Sequence, residues 1–185
     1  MNHKRHINSN GKIVDIFDDV YPSYIRDHHL YYAFESSYSL GGLSSTAVIE
    51  QRHKTFFQCA FDENQLKEFD FFNDHLNPIW NVIGHREVDR SWINVSSPLS
   101  TYYYHHDFVH EGHKTILYYF NQAWNRNWGG ETLFANEQGE CEIAVEYKPG
   151  RIVIFDSEIE HKPSAISMDA SEFRFTFVSQ LKLCF

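Results

Sequence analysis

Lys114-Thr-Ile-Leu-Tyr-Tyr-Phe120 and Arg151-Ile-Val-Ile-Phe-Asp156 are short apolar runs rich in β-branched and aromatic residues. Runs of this length suit a buried strand; a helix needs about ten residues or more. Working outward, a period of two recurs from about residue 88: Ser91–Val95, Thr101–Asp107, Glu131–Ala135, Glu142–Glu146 and Phe173–Gln180. Asn127-Trp-Gly-Gly130 and Lys148-Pro-Gly150 punctuate the series as turns. Seven or more short strands in the C-terminal half predict a mainly β fold, a jelly roll or barrel supported by helices.

The N-terminal half reads differently. Residues 1–11 look like a polar, frayed terminus, and Lys12–Phe17 like a first strand. Pro22 opens a helix over Ser23–Phe34, with Ile25, Leu30 and Tyr31 expected inward. From Glu63 to about Val82, apolar Leu66, Phe69, Phe72, Leu76 and Trp80 recur at spacings of three and four. They mark one face of an amphipathic helix that Pro78 kinks or divides. The 185 residues fit one domain, with 1–90 as support and 91–182 as the core.

Composition narrows the function. Sixteen basic against 25 acidic residues give a formal charge of −9, and no basic stripe is present, which argues against nucleic acid as partner. Cys59, Cys141 and Cys184 are odd in number and widely spaced, so neither a disulfide framework nor a CxxC zinc pattern follows. A reducing cytoplasm is the simpler expectation. No apolar run has the length of a secretory leader or a membrane span.

Tyr103-Tyr-His-His-Asp107 carries the candidate chemistry. On a strand, residues i and i+2 share a face, so His105 and Asp107 converge while His106 points away. Two imidazoles and one carboxylate form the facial triad of non-haem Fe(II) oxygenases. With 12 histidines and 11 aspartates in 185 residues, chance alone supplies about 0.7 His-x-Asp pairs, and His85-Arg-Glu87 is a second His-x-carboxylate.

The downstream blocks give the pair its context: Lys114 to Trp124, Trp128-Gly-Gly-Glu-Thr-Leu-Phe134, Tyr147 to Ser157, His161-Lys-Pro163 and Phe173-Arg-Phe-Thr-Phe177. In this order they resemble the catalytic domain of the prolyl 4-hydroxylase-like 2-oxoglutarate/Fe(II) dioxygenases, over roughly residues 92–182. The resemblance implies a double-stranded β-helix (jelly-roll) core and an iron held by His105, Asp107 and His161. It implies Arg174 and Tyr119 on the far carboxylate of 2-oxoglutarate, Thr132 lining that pocket, and a pocket tyrosine at Tyr102. Strict alternation instead favours Tyr103, and the choice stays open. It further implies Fe(II) as cofactor, 2-oxoglutarate and O2 as cosubstrates, and support from ascorbate. The substrate is a peptide, protein or small molecule, a prolyl residue being the default.

Arg174 has a physical case of its own, because guanidinium stays charged when buried and binds carboxylates through two parallel hydrogen bonds. Alternation puts it with Thr176, opposite Phe173, Phe175 and Phe177. Arg151 is the rival, read as an exposed turn entry. His110 and His113 fall in the loop after the first ligands. Nucleic-acid demethylases of the same superfamily carry a second arginine where this chain has Gln180. A non-catalytic jelly-roll module that binds metal or ligand is the reading from another class.

Overall fold

The computed structural model describes residues 1–40, 56–108 and 111–183. Eleven strands form two sheets among them. The larger is ordered β1 (Asn2–Ile7), β2 (Ile13–Asp18), β9 (Ile152–Asp156), β6 (Lys114–Tyr119), β11 (Arg174–Leu183), β5 (Arg86–Ser96), β4 (Phe57–Ala60) and β3 (Ser39–Leu40). The smaller is ordered β10 (His161–Pro163), β7 (Thr132–Ala135) and β8 (Cys141–Val145). Every strand pair is antiparallel. This is the mainly β, jelly-roll architecture expected, and strands from both halves of the chain meet in the larger sheet.

That sheet is apolar on both faces, so two cores form. One face packs Ile93, Ile116, Tyr118, Ile154, Phe175 and Phe177 against Phe69, Phe71, Leu76 and Ile79 from the helical segment. The other turns Leu117, Tyr119, Val153, Phe155 and Val178 toward Phe134 and Val145 of the smaller sheet. Alternation along β6 and β11 thus splits each strand between a helix-facing core and an inter-sheet space, where the polar residues of those strands also lie.

Three expectations need correction. Residues 1–11 are not frayed, because Asn2–Ile7 pairs in register with β2 through a turn at Asn8–Gly11. Its polar sequence is a strand because Arg5 Nε and Nη2 donate to the two oxygens of Asp15 at 2.8 and 2.9 Å. His3 reaches the same carboxylate and stacks on Phe17 at 4.4 Å. Burial alone would raise the Asp15 pKa; the hydrogen bonds from Arg5 and His3 outweigh it and hold the carboxyl below its ordinary value. In α1 (Ser23–Glu35), Ile25 and Leu30 pack against the core as expected, but Tyr31 is exposed, and His29 and Ala33 are the fully buried residues. The segment expected as a helix that Pro78 kinks or divides is divided, into α2 (Glu63–Phe69), a 3-10 turn and α3 (Asn77–Ile83). The break comes before Pro78, at Asp70, whose φ of 55° ends α2.

The fourth difference bears on the site. Thr101–Tyr104 is irregular, and His105 alone forms a bridge, to His161. The strand parity used to separate His105 from His106 therefore does not apply. The bridge itself orients His105, while the exposed His106 donates from Nδ1 to the Glu158 carbonyl at 2.9 Å. His110 and Cys184 lie outside the described residues. Among the described residues no helix is long and apolar enough to cross a membrane.

Candidate metal and cosubstrate site

His105, Asp107 and His161 converge although they come from an irregular segment and β10. Mutual backbone hydrogen bonds, His105 N–H to His161 O at 3.0 Å and His161 N–H to His105 O at 2.9 Å, hold the two segments together. The Asp107 amide donates to Ser157 O at 3.1 Å. One ligand atom from each of the three side chains lies within 4.8 Å of the others. Asp107 oxygens stand 3.9 Å from His105 Nε2 and 3.7 Å from His161 Nε2.

Both imidazoles are set for coordination. His105 Nδ1 donates to Tyr103 O and His161 Nδ1 to Ile159 O, each at 3.0 Å. A carbonyl only accepts, so the proton sits on Nδ1 and Nε2 keeps its lone pair toward the centre. Burial lowers the His161 pKa, opposed by nearby Asp107, so this ring is neutral at ordinary pH, as a metal ligand must be. The donor set fits a divalent iron, with two nitrogens and one carboxylate on one side and open space on the other.

Thr115, on β6, stands beside Asp107. Its hydroxyl lies 2.7 Å from Asp107 Oδ2 and 2.9 Å from Ser157 Oγ. It thereby fixes which way the carboxylate faces. Thr115→Val should weaken Mn(II) binding roughly 10- to 100-fold, the usual cost of losing a supporting contact to a ligand, with Thr115→Ser close to wild type. Competitive metal titration checks this, and equal affinity for the valine variant would remove Thr115 from the site.

Arg174 is 2 % exposed at the start of β11. Its Nε donates to Gly130 O at 3.0 Å and one terminal nitrogen to Thr176 Oγ1 at 2.6 Å. Its guanidinium lies 5.2 Å from the Tyr119 ring and 4.8 Å from the Tyr147 ring. Among the described residues no carboxylate pairs with it, so a buried cation is held by neutral groups only. Gly130 makes this approach possible. Its φ is +81°, and a Cβ there would come within 3.2 Å of Arg174 Cδ.

Tyr119 and Thr132 bond to each other, Oη to Oγ1, at 2.6 Å. Burial raises the Tyr119 pKa, which keeps the phenol protonated. Tyr147 and Asn121 were not singled out from the sequence. Tyr147 stacks on Tyr119 at 4.5 Å, and its hydroxyl is 2.5 Å from both Asn121 Oδ1 and the Phe175 carbonyl. Asn121 also bonds the Phe173 carbonyl and the Phe175 amide, so this pair fixes the backbone on both sides of Arg174. Only cross-strand contact reveals that role.

Two adjoining cavities open onto these groups. One of about 60 Å³ lies between the His/Asp cluster and Arg174, with Asn94, Leu117, Thr132 and Val178 in its wall. The other, about 370 Å³, runs outward past Phe56, Gln58, Trp92 and Tyr102. Among the described residues, Ser96 Oγ and Tyr102 Oη are buried on the larger cavity without hydrogen-bond partners. Tyr102, not Tyr103, therefore faces the cavity. Tyr103 is 46 % exposed, since the irregular backbone breaks the alternation that favoured it. Arg151 is no rival for an anion: it donates to both oxygens of Asp18 at 2.9 and 3.0 Å, and is half-buried rather than exposed. His85 and Glu87 are exposed, and Cys59 and Cys141 are free thiols outside the cluster.

Comparison with known proteins agrees with this geometry. Residues 92–178 match the model of the 2OG-Fe(II) oxygenase superfamily. No curated protein matches the chain by sequence. Among solved structures, the chain is similar to a prolyl hydroxylase in complex with a hypoxia-inducible-factor peptide fragment from Trichoplax adhaerens. That match has TM-score 0.70 and 16% identity, covering 95% of this chain and 85% of that one. A Pseudomonas putida prolyl-4-hydroxylase aligns at TM-score 0.66 and 16% identity over 92% of each chain. HygX from Streptomyces hygroscopicus, solved with nickel and 2-oxoglutarate, aligns at 0.66 and 10% over 93% of this chain and 84% of that one.

Proposed function

Residues 92–178 belong to the 2OG-Fe(II) oxygenase superfamily, and from that membership and the site geometry we propose that the protein hydroxylates a prolyl residue in a peptide, or a related amino-acid substrate. It is a 2-oxoglutarate/Fe(II)-dependent dioxygenase of the prolyl 4-hydroxylase-like kind, with Fe(II), 2-oxoglutarate and O2 as its chemical requirements. Bound iron with its cosubstrates supplies the oxidation of a C–H bond to an alcohol, releasing succinate and CO2.

In this reading His105 Nε2, Asp107 and His161 Nε2 hold the metal, and Thr115 orients Asp107. Arg174 receives the far carboxylate of 2-oxoglutarate, which supplies the anion its surroundings lack. The observation that carries the reading is that cation, buried without a carboxylate, facing the His/Asp cluster across one small cavity. Thr132, bonded to the buried Tyr119 behind it, completes the polar end of that cavity, while Leu117 and Val178 exclude water from its sides. Tyr102 is placed to add a hydrogen bond from the outer side.

The peptide assignment has two supports. A similar structure is complexed with a peptide, and the outer cavity offers aromatic walls at Phe56, Trp92 and Tyr102 beside the amides of Gln58 and Asn94. Aromatic faces suit a pyrrolidine ring, and side-chain amides suit a peptide backbone. Gln180 in place of a second arginine disfavours nucleic acid. Treating 1–185 as one domain, with ascorbate as supporting reductant and a cytoplasmic setting, completes the proposal. Incubating the protein with Fe(II), ascorbate, O2 and 2-oxoglutarate against proline-containing peptides and free amino acids tests it. A product heavier by one oxygen on proline is expected; hydroxylation of other residues only would overturn the prolyl assignment.

A further inference from the structure

Arg90 stands at the mouth of the larger cavity because β5 is bulged. Along β5 and β11 the register passes from Gln180 opposite Arg90 to Leu181 opposite Val88, leaving Asp89 as the extra residue. Plain alternation would put Val88 and Arg90 on one face. Instead Val88 packs against the helix-side core, while Arg90 lines the cavity with Trp92, Asn94 and Ser96. A bulge of this kind re-aims one side chain.

What the bulge delivers is a solvent-exposed cation braced by protein on one side only. Arg90 Nε donates to the Gln180 side-chain oxygen at 2.5 Å, and the guanidinium lies 5.3 Å from the Trp92 ring. Gln180 is 1 % exposed, so it is a fixed support. Among the described residues no carboxylate contacts Arg90, and its neighbour Asp89 is engaged with Lys182. Its terminal nitrogens have no acceptor there either. Two arginines, Arg90 and Arg174, line this cavity against one carboxylate, Asp107, in a chain whose formal charge is −9. Arg90 also shares a cross-strand row with Gln180 and Thr115, the residue that holds Asp107. Two strand spacings put it roughly 10 Å along the sheet from Thr115.

We propose that Arg90 is a specificity-determining residue that binds a carboxylate of the substrate, which enters with this group at the mouth and its reacting carbon toward the metal cluster. The proposal deepens the oxygenase reading and rests on it. The carboxylate is that of an acidic residue near the target proline in a peptide, or that of a free amino acid. A planar guanidinium braced on one edge by Gln180 and on one face by Trp92 leaves its other edge free for two parallel hydrogen bonds to such a group.

The test uses the full chain loaded with Mn(II) and 2-oxoglutarate, with binding followed by calorimetry. One arm compares a blocked proline peptide carrying Glu with its Gln counterpart, and the other compares free proline with prolinamide. In at least one arm the acid should bind wild type roughly 10- to 100-fold more tightly than the amide, the worth of a charge-assisted pair. Arg90→Gln should abolish that preference, and Arg90→Lys should retain part of it. Equal binding of acid and amide, a preference that survives Arg90→Gln, or no binding of any acid while 2-oxoglutarate still binds, each overturns the proposal. Failure of wild type to bind 2-oxoglutarate in the preceding titration would instead sink the oxygenase reading, and this inference with it.

Discussion

Asp107→Ala should abolish hydroxylation and leave the protein with little metal. The variant removes the one carboxylate of the cluster and leaves two imidazoles, which hold a hard divalent ion such as Fe(II) poorly. Losing a supporting contact to a ligand costs about 10–100-fold in metal affinity, and losing the ligand itself should exceed that. Thr115, itself bonded to Ser157 Oγ, would also lose its carboxylate acceptor. His85→Ala is the control, because His85 is exposed and stacks on Trp80 at 5.9 Å, away from the cluster. Metal content and product yield measured on both variants decide the matter. Iron found on His85 and Glu87, with Asp107→Ala still active, would contradict the assignment.

Arg174→Ala should leave metal binding nearly intact and cripple binding of 2-oxoglutarate. Removing one partner of a buried charge pair costs roughly 3–5 kcal/mol, or a hundredfold to several thousandfold in affinity. Tyr119→Phe should cost less, about 1.5–3 kcal/mol for one hydrogen bond to a charged group, since the ring beneath the guanidinium is kept. Titration of 2-oxoglutarate against each Mn(II)-loaded variant separates these values. Equal affinity for wild type and Arg174→Ala would move the carboxylate to another cation. Arg151 is a poor substitute, being tied to Asp18 on both oxygens.

The parts of this molecule legible in its sequence are those governed by period and length. The runs at Lys114 and Arg151 announce buried strands because apolar density at that length has few other solutions. Arg174 could be placed opposite Phe175 and Phe177 because β11 is regular there. The same rule failed where the backbone is irregular. It favoured Tyr103, whereas Tyr102 faces the cavity, and it assigned His105 by a strand parity that the chain does not have. Residues 2–7 read as frayed because nothing in His3-Lys-Arg-His6 shows that Asp15 lies across the hairpin. Thr115 on Asp107, Tyr147 beneath Arg174 and the bulge that re-aims Arg90 are all cross-strand facts. They depend on pairings of distant segments that one sequence does not display.

The most direct test of the account is the cosubstrate half-reaction. Given Fe(II), ascorbate, O2 and 2-oxoglutarate but no substrate, the wild-type protein should form succinate slowly, and more quickly once a true substrate is added. Asp107→Ala and Arg174→Ala should form almost none, the first for want of metal and the second for want of bound cosubstrate. Wild-type protein that binds iron and 2-oxoglutarate at these residues, yet makes no succinate with any of a broad substrate panel, would contradict the account and leave a jelly-roll module that only binds.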